Sequence, residues 1–422
     1  MEEIIKPVSS ILSSALPPFL TGKDLSNALS SSPHFHLAKD EGASQRMLAI
    51  SAIHEELFIP TEFSKSVYSQ LYLALNHSIQ RREKREIYLK QSYKTFESKL
   101  YGRHSAGIMG GSDVFTIFGD SGIGKSTAIK RAADIIVPTG HIQNGPSDIL
   151  GVLIVTCPHD CSVKGMLLSI LQNVDAEYDT HYYEAAIRSR ATTDILINNV
   201  AQVCMNNVGV LIIDEISNVI KSPKNGEMLI NALIQLINIS GISIGCVGTP
   251  NAVPFFEQDF CIARRSLGVR CSRFNFDNEF FYFCQQLWQY QYLQSQVELN
   301  DEYVLWMYQH SAGIPAVIIS LFCQAQQHAI ENGTEKLTIK NLLQAYTYGH
   351  KSLHYYIEEQ TSSKPKTTAK NKKPIKSAQS AAHLPEEGEI SIYQICQTAK
   401  KKDLDIIESL KEFITIQEVP VL

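Results

Sequence analysis

The chain has 422 residues, enough for two or three domains, and its 44% hydrophobic and 19% charged residues are those of a soluble globular protein. A formal net charge of −5 excludes a uniformly basic nucleic-acid binder, so any DNA contact must come from local basic patches. Nine cysteines without a framework spacing, an acidic, Pro-broken start (MEEIIKPVSS) and a longest apolar stretch of only Ile314 to Cys323 point to the cytoplasm, away from secretion or a membrane.

Residues 1–95 carry no nucleotide motif and read as largely helical from Leu48 onward. The run Arg81-Arg82-Glu83-Lys84-Arg85-Glu86 mixes charges at helical spacing and is expected to be a solvated face. From about Asp113 to Phe276 strands alternate with helices, the pattern of a parallel sheet with crossover helices. Strands are expected at 114–118, 151–155, 209–213, 242–247 and 272–276, with helices starting at Lys125, Ser162, Thr192 and Gly226. After Phe276 the pattern is helical only, at 278–294, 301–311, 315–331 and 338–347, which predicts a small helical lid. Segment 361–380 has six lysines, Pro365, Pro374 and no acidic residue, the composition of a flexible basic linker. Beyond it, 386–422 combines acidic residues with apolar ones such as Ile390, Ile395, Leu404 and Phe413. So short a segment cannot build a large core of its own and is expected to dock on a partner or on the same protein. The resulting division is 1–95 (helical, partner-binding), 96–276 (α/β core), 277–350 (lid), 351–385 (basic linker) and 386–422 (docking tail).

The chemistry is concentrated at two places. Residues 114–126 read VFTIFGDSGIGKS, a hydrophobic strand entering a P-loop that opens a helix. Gly119, Gly122 and Gly124 give the loop freedom to wrap a triphosphate with backbone N–H groups. The nucleotide-binding set is Gly119, Asp120, Ser121, Gly122, Ile123, Gly124, Lys125, Ser126 and Thr127. Lys125 is expected to reach the β- and γ-phosphates and Ser126 a magnesium ion, with the positive end of the helix facing the anion. Downstream, Val210-Leu211-Ile212-Ile213-Asp214-Glu215 is an apolar strand ending in two carboxylates. Asp214 suits the magnesium shell with Ser126, and Glu215 the base that polarises an attacking water. Together the two motifs specify a P-loop NTPase using Mg2+, and the lack of the Asn-Lys-x-Asp base-reading motif of a GTPase points to ATP.

A third strand ends in Gly248-Thr249-Pro250-Asn251, where a polar residue would stand between the carboxylates and the γ-phosphate; Thr249 is the choice and Asn251 the reserve. Arg264 and Arg265 follow, either as surface ion pairs or as charges reaching a nucleotide held by the next subunit. Cys157-Pro158-His159-Asp160-Cys161 offers three soft ligands in five residues but no fourth at a finger-like spacing. It reads as a strand-to-helix turn with small buried thiols.

These positions together resemble the AAA+ class and, at finer grain, the TnsC/TniB family of ATP-dependent regulators of heteromeric transposases. The resemblance covers roughly 95–350 and rests on GDSGIGKST at 119–127, CPHDCSVKGMLLSILQNVD at 157–175 and GVLIIDEISNV at 209–219. It continues in LINISGISIGCVGTPNA at 236–252, IARRSLGV at 262–269 and LWQYQYLQ at 287–294. It implies an AAA+ P-loop core with a parallel sheet and a small helical lid, to which the residues outside it add an N-terminal helical region and a flexible C-terminal tail. It also implies arginine fingers at Arg264 and Arg265 and a DNA-facing position for Lys164; Arg188 and Arg190, in the extended polar crossover before the carboxylate strand, are further candidate DNA contacts read from their charge. The partners it implies are double-stranded DNA, a target-selector protein, transposase subunits, and further copies of the chain in a ring or helical filament. One departure is that Gly313-Ile314-Pro315 is followed by Ala316, where many AAA+ lids carry an arginine, which favours a slow, ATP-gated switch over a processive motor. Two other readings stay open, a replication initiator or helicase loader of the same broad fold and a signalling ATPase that never touches DNA.

Overall fold

The computed structural model describes residues 15–33, 41–98, 114–144, 147–257 and 266–350. Three helices lead the chain: α1 (Gly22–Leu29), α2 (Ala43–Glu56) and α3 (Glu62–Ser98). The core alternates β1 (Val114–Gly119), α4 (Lys125–Ile136), β2 (His141–Asn144), β3 (Ser147–Thr156), α5 (Val163–Tyr178), α6 (Tyr182–Arg188) and α7 (Thr193–Asn207). It continues with β4 (Val208–Asp214), α8 (Pro223–Ser240), β5 (Ser243–Gly248), α9 (Val253–Glu257) and β6 (Ser266–Cys271). The lid follows as α10 (Asn278–Trp288), α11 (Asp301–Ser311), α12 (Pro315–Glu331) and α13 (Ile339–Ala345).

The six strands form one sheet in the order β2-β3-β4-β5-β1-β6, parallel except for the antiparallel β2–β3 hairpin. The expected P-loop core on a mostly parallel sheet, followed by a small helical lid, is what forms, and the antiparallel edge makes the sheet mixed. Side chains alternate across it as the strand period demands. Val114 and Phe118 of β1 and Leu211 and Ile213 of β4 join the core under α5, α7 and α8. Phe115, Ile117, Val210 and Ile212 face the opposite layer, where α1, α3 and α4 supply Leu25, Tyr68, Leu71, Leu75 and Ile129. The N-terminal helices therefore close one face of the sheet.

Helix α2 has a different allegiance. Ile50, Ile53, Leu57 and Ile59 pack with Phe280, Phe283, Leu321 and Phe322 in the lid core. Arg46 of α2 is 4% exposed and forks onto Glu335 of the lid at 2.5 and 2.7 Å. The connection from α2 to α3 thus runs from the lid to the sheet.

Several expectations move. The last strand lies at Ser266–Cys271 and not at 272–276. Within 272–276, Phe274 and Phe276 instead pack against Phe280, Phe283 and Tyr308 of the lid. The helix expected from Gly226 begins at Pro223, whose fixed φ suits a first turn. Among the described residues, helicity begins at Gly22, well before Leu48. Residues 351–422, with the linker and tail, lie outside the described residues. Among the described residues, no single helix is long and apolar enough to cross a membrane.

Candidate nucleotide site

Because β5 separates β1 from β4, the chain ends of the three strands bring the P-loop, the carboxylates and Thr249 side by side. Gly122 (φ 81°) and Gly124 (φ 91°) take left-handed conformations that a side chain would strain. Gly119 is needed for a different reason: a Cβ there would stand 2.9 Å from the Cys271 carbonyl oxygen. Helix α4 starts at Lys125, so the P-loop residues lie at its positive end.

Lys125 Nζ donates to the carbonyl oxygens of Gly119 and Asp120, both at 2.8 Å. Burial pushes its pKa down, and the carboxylates of Asp214 and Asp120 oppose that shift. Ser126 Oγ donates to Asp214 Oδ2 at 2.7 Å, while the Glu215 N–H donates to Asp214 Oδ1 at 2.7 Å. A hydroxyl and a carboxylate in contact form the hard-oxygen donor set that Mg2+ prefers. Glu215 itself is in the left-handed region at φ 55° and is solvent-exposed. Such strain in a non-glycine residue costs on the order of 1 kcal/mol and is typical of functional turns.

Sequence reasoning missed Ser217. Its Oγ accepts from the Thr249 N–H at 2.6 Å and from the Thr249 hydroxyl at 2.9 Å, tying the turn after β4 to the end of β5. Thr249 and Asn251 both line the cavity, so the preference between them stays as it was.

That cavity encloses about 820 Å3, within the range of small-ligand sites. Residues 121–127, Asp214, Glu215, Ser217 and Thr249 form its polar end. Leu57, Phe58 and Ile59 from the α2–α3 connection, with Phe283, Pro315 and Ile319 of the lid, form an apolar end. These two walls were also missed; the apolar run Leu57-Phe58-Ile59-Pro60 was a signal without a register to read it by. At the lid, the Ala316 N–H donates to the Gly122 carbonyl at 3.1 Å, so α12 touches the P-loop through backbone.

The other predicted residues are more scattered. Arg264 and Arg265 lie outside the described residues, immediately before β6. Lys164 is exposed in the first turn of α5, whose start is capped by Ser162 accepting from the Gly165 N–H at 3.2 Å. It has no ion pair among the described residues. Arg188 ends α6 and pairs with Glu184 at 2.7 Å, and Arg190 is exposed at φ 50°.

The Cys157–Cys161 segment is a structural turn. The Cys157 N–H donates to the Asp214 carbonyl and Asn218 Nδ2 to the Cys157 carbonyl. Burial raises the pKa of both thiols, which keeps them protonated and poor as metal ligands.

Residues 103–275 match a family model described as the bacterial TniB protein. No curated protein matches the chain in sequence. Similar solved structures include the Aeropyrum pernix ORC2 protein in its ADP form, at 15% identity and a TM-score of 0.38 over 56% of this chain and 62% of that one. They also include the Aeropyrum pernix ORC1 protein in complex with DNA, at 16% identity and a TM-score of 0.37 over 56% and 60%. Drosophila ORC bound to DNA aligns over 97% of this chain and 87% of its own, at 11% identity and a TM-score of 0.45. The chain spans about three fifths of the length of the two archaeal structures.

Proposed function

Segment 103–275 matches the TniB family model, and on that premise we propose that the chain is an ATPase that assembles on double-stranded DNA when it holds ATP and links target-site selection to transposase recruitment. The match over 103–275 supports an AAA+ type ATPase. The contact between Ala316 and Gly122 favours an ATP-gated switch over a motor. The lid meets the P-loop through a backbone hydrogen bond and brings no charge there, so nucleotide sets the lid position more readily than the lid drives hydrolysis.

In this reading, residues 119–127 hold the phosphates, with Lys125 exchanging its two carbonyl partners for phosphate oxygens. Ser126 and Asp214 would hold Mg2+, which would supply charge neutralisation for the phosphates. Glu215 takes a proton from the attacking water, and Thr249, held by Ser217, keeps that water in line. Charge missing at Ala316 is supplied by Arg264 or Arg265 of a neighbouring copy, which makes hydrolysis depend on assembly. Lys164 contributes one phosphate contact per copy, repeated around a ring or filament, with Arg188 and Arg190 as further contacts. A target selector and transposase subunits bind elsewhere, the latter through the tail.

Imaging and DNA-binding titrations with a non-hydrolysable ATP analogue test this. Wild-type protein should form DNA-bound assemblies, Lys125→Ala should form none, and Glu215→Gln should assemble but hydrolyse poorly. Affinity should fall steeply with salt and vary little with sequence, and Lys164→Ala should weaken it while nucleotide binding stays intact. ATPase activity indifferent to DNA and to protein concentration would instead favour a signalling switch.

A further inference from the structure

The P-loop is held from behind by an ion pair that no motif announces. Arg273 sits two residues past β6, and its Nε donates to Asp120 Oδ2 at 2.9 Å with the Arg273 side chain 18% exposed. Asp120 is the residue whose carbonyl receives Lys125 Nζ. One residue further, the Phe274 N–H donates to the Gly313 carbonyl at 3.0 Å, and three residues beyond Gly313 the Ala316 N–H returns to Gly122. The contacts close a circuit from the P-loop to the end of β6, from there to the lid turn, and back to the P-loop. Gly119 is packed on the Cys271 carbonyl within the same circuit.

We propose that Arg273 is a positioning residue for nucleotide binding: by gripping Asp120 it fixes the P-loop against the end of β6 and the lid turn. This rests on the ATP-site reading above. The direction in which Arg273 acts is set by its surroundings. It borders an adjoining cavity of about 270 Å3, which shares Ile123 and Pro315 with the nucleotide cavity, and Arg273 does not line the nucleotide cavity itself. Its influence on phosphate therefore passes through Asp120. The β-phosphate, common to ADP and ATP, is bound by the loop that Asp120 anchors. Both nucleotides should feel the loss equally.

The test is a titration of ADP and of a non-hydrolysable ATP analogue without DNA, on full-length wild type, Arg273→Gln, Arg273→Lys, Asp120→Asn and the Arg273→Gln/Asp120→Asn double variant. Removing one member of a charged hydrogen bond should weaken both nucleotides about tenfold. Arg273→Lys should recover part of the loss, because an ammonium can still pair with Asp120. The double variant should be no worse than either single one, since each breaks the same link. At saturating ATP, hydrolysis per assembled complex by Arg273→Gln should remain near wild type. The assignment is overturned if affinities are unchanged, if the two single losses add, or if only the ATP analogue is weakened, which would make Arg273 a γ-phosphate contact. Because no DNA is present, failure of DNA-dependent assembly would count against the proposed function and leave this assignment standing.

Discussion

Three arginines finish helices to which they do not belong. Arg82 of α3 donates to the carbonyls of Cys204, Asn206 and Val208 at the end of α7, and Arg81 donates to the Gly241 carbonyl just past α8. Arg131 of α4 does the same for Ala28, Leu29 and Ser30 at the end of α1. Each meets carbonyls left without helical partners and the negative end of a helix dipole. The charge run at 81–86 was expected to be solvated; its first two members are instead half-buried caps, which charge spacing alone does not disclose. Arg46 and Glu335 make a different use of charge, pinning α2 to the lid. The hydrogen bonds from Arg46 hold the Glu335 carboxyl below its ordinary value of 4.5, against the opposing effect of burial. A depressed carboxyl contributes stability that is fully present above the ordinary value and is lost as pH falls through the lowered one. Glu335→Gln should cost about 2 kcal/mol at neutral pH, less than for a fully buried pair because Glu335 keeps a fifth of its side chain exposed. Urea denaturation across pH 3–7 should show the difference from wild type shrinking on the acid side of pH 4.5. A difference constant with pH would mean that the ion pair contributes nothing.

At the scale of elements, what was legible was what chemistry or periodicity confines to neighbouring residues. The P-loop, the carboxylate strand and the starts of α4, α5 and α7 all depend on short-range patterns, a glycine spacing or an N-cap such as Ser162 and Thr192. Strand β2 is a four-residue polar edge with no alternating pattern to detect. The 272–276 segment carries strand-like aromatics whose partners are in the lid. Ser217 and Arg273 act on residues 32 and 153 positions away, so only the assembled sheet shows what they do. The Ser217–Thr249 link gives a prediction for the turn between β4 and α8. Ser217→Ala leaves the Thr249 N–H without its partner and frees the hydroxyl, so kcat for ATP should fall about tenfold with ADP affinity unchanged. Single-turnover hydrolysis beside an ADP titration separates the two effects, and an unchanged kcat would show that Thr249 needs no support.

At the scale of the molecule, the described residues all belong to one compact unit. Truncation after Thr361 should leave ATP binding and assembly on DNA intact while abolishing recruitment of the transposase, measured by co-sedimentation on DNA. Loss of ATP-dependent assembly in the truncated protein would instead make the tail part of the ATPase. The opposite end of the chain does not lend itself to the same approach. The α2–α3 connection supplies Leu57, Phe58 and Ile59 to the nucleotide cavity, while Ile50 and Ile53 belong to the lid core. An amino-terminal deletion made to map a binding partner would remove part of the ATP pocket along with any docking surface. Its phenotype would then be the same whether or not a partner had ever touched the deleted residues. Mapping this end calls for point substitutions on outward-facing positions such as Leu48, 72% exposed on α2, with nucleotide binding measured in parallel as the internal control.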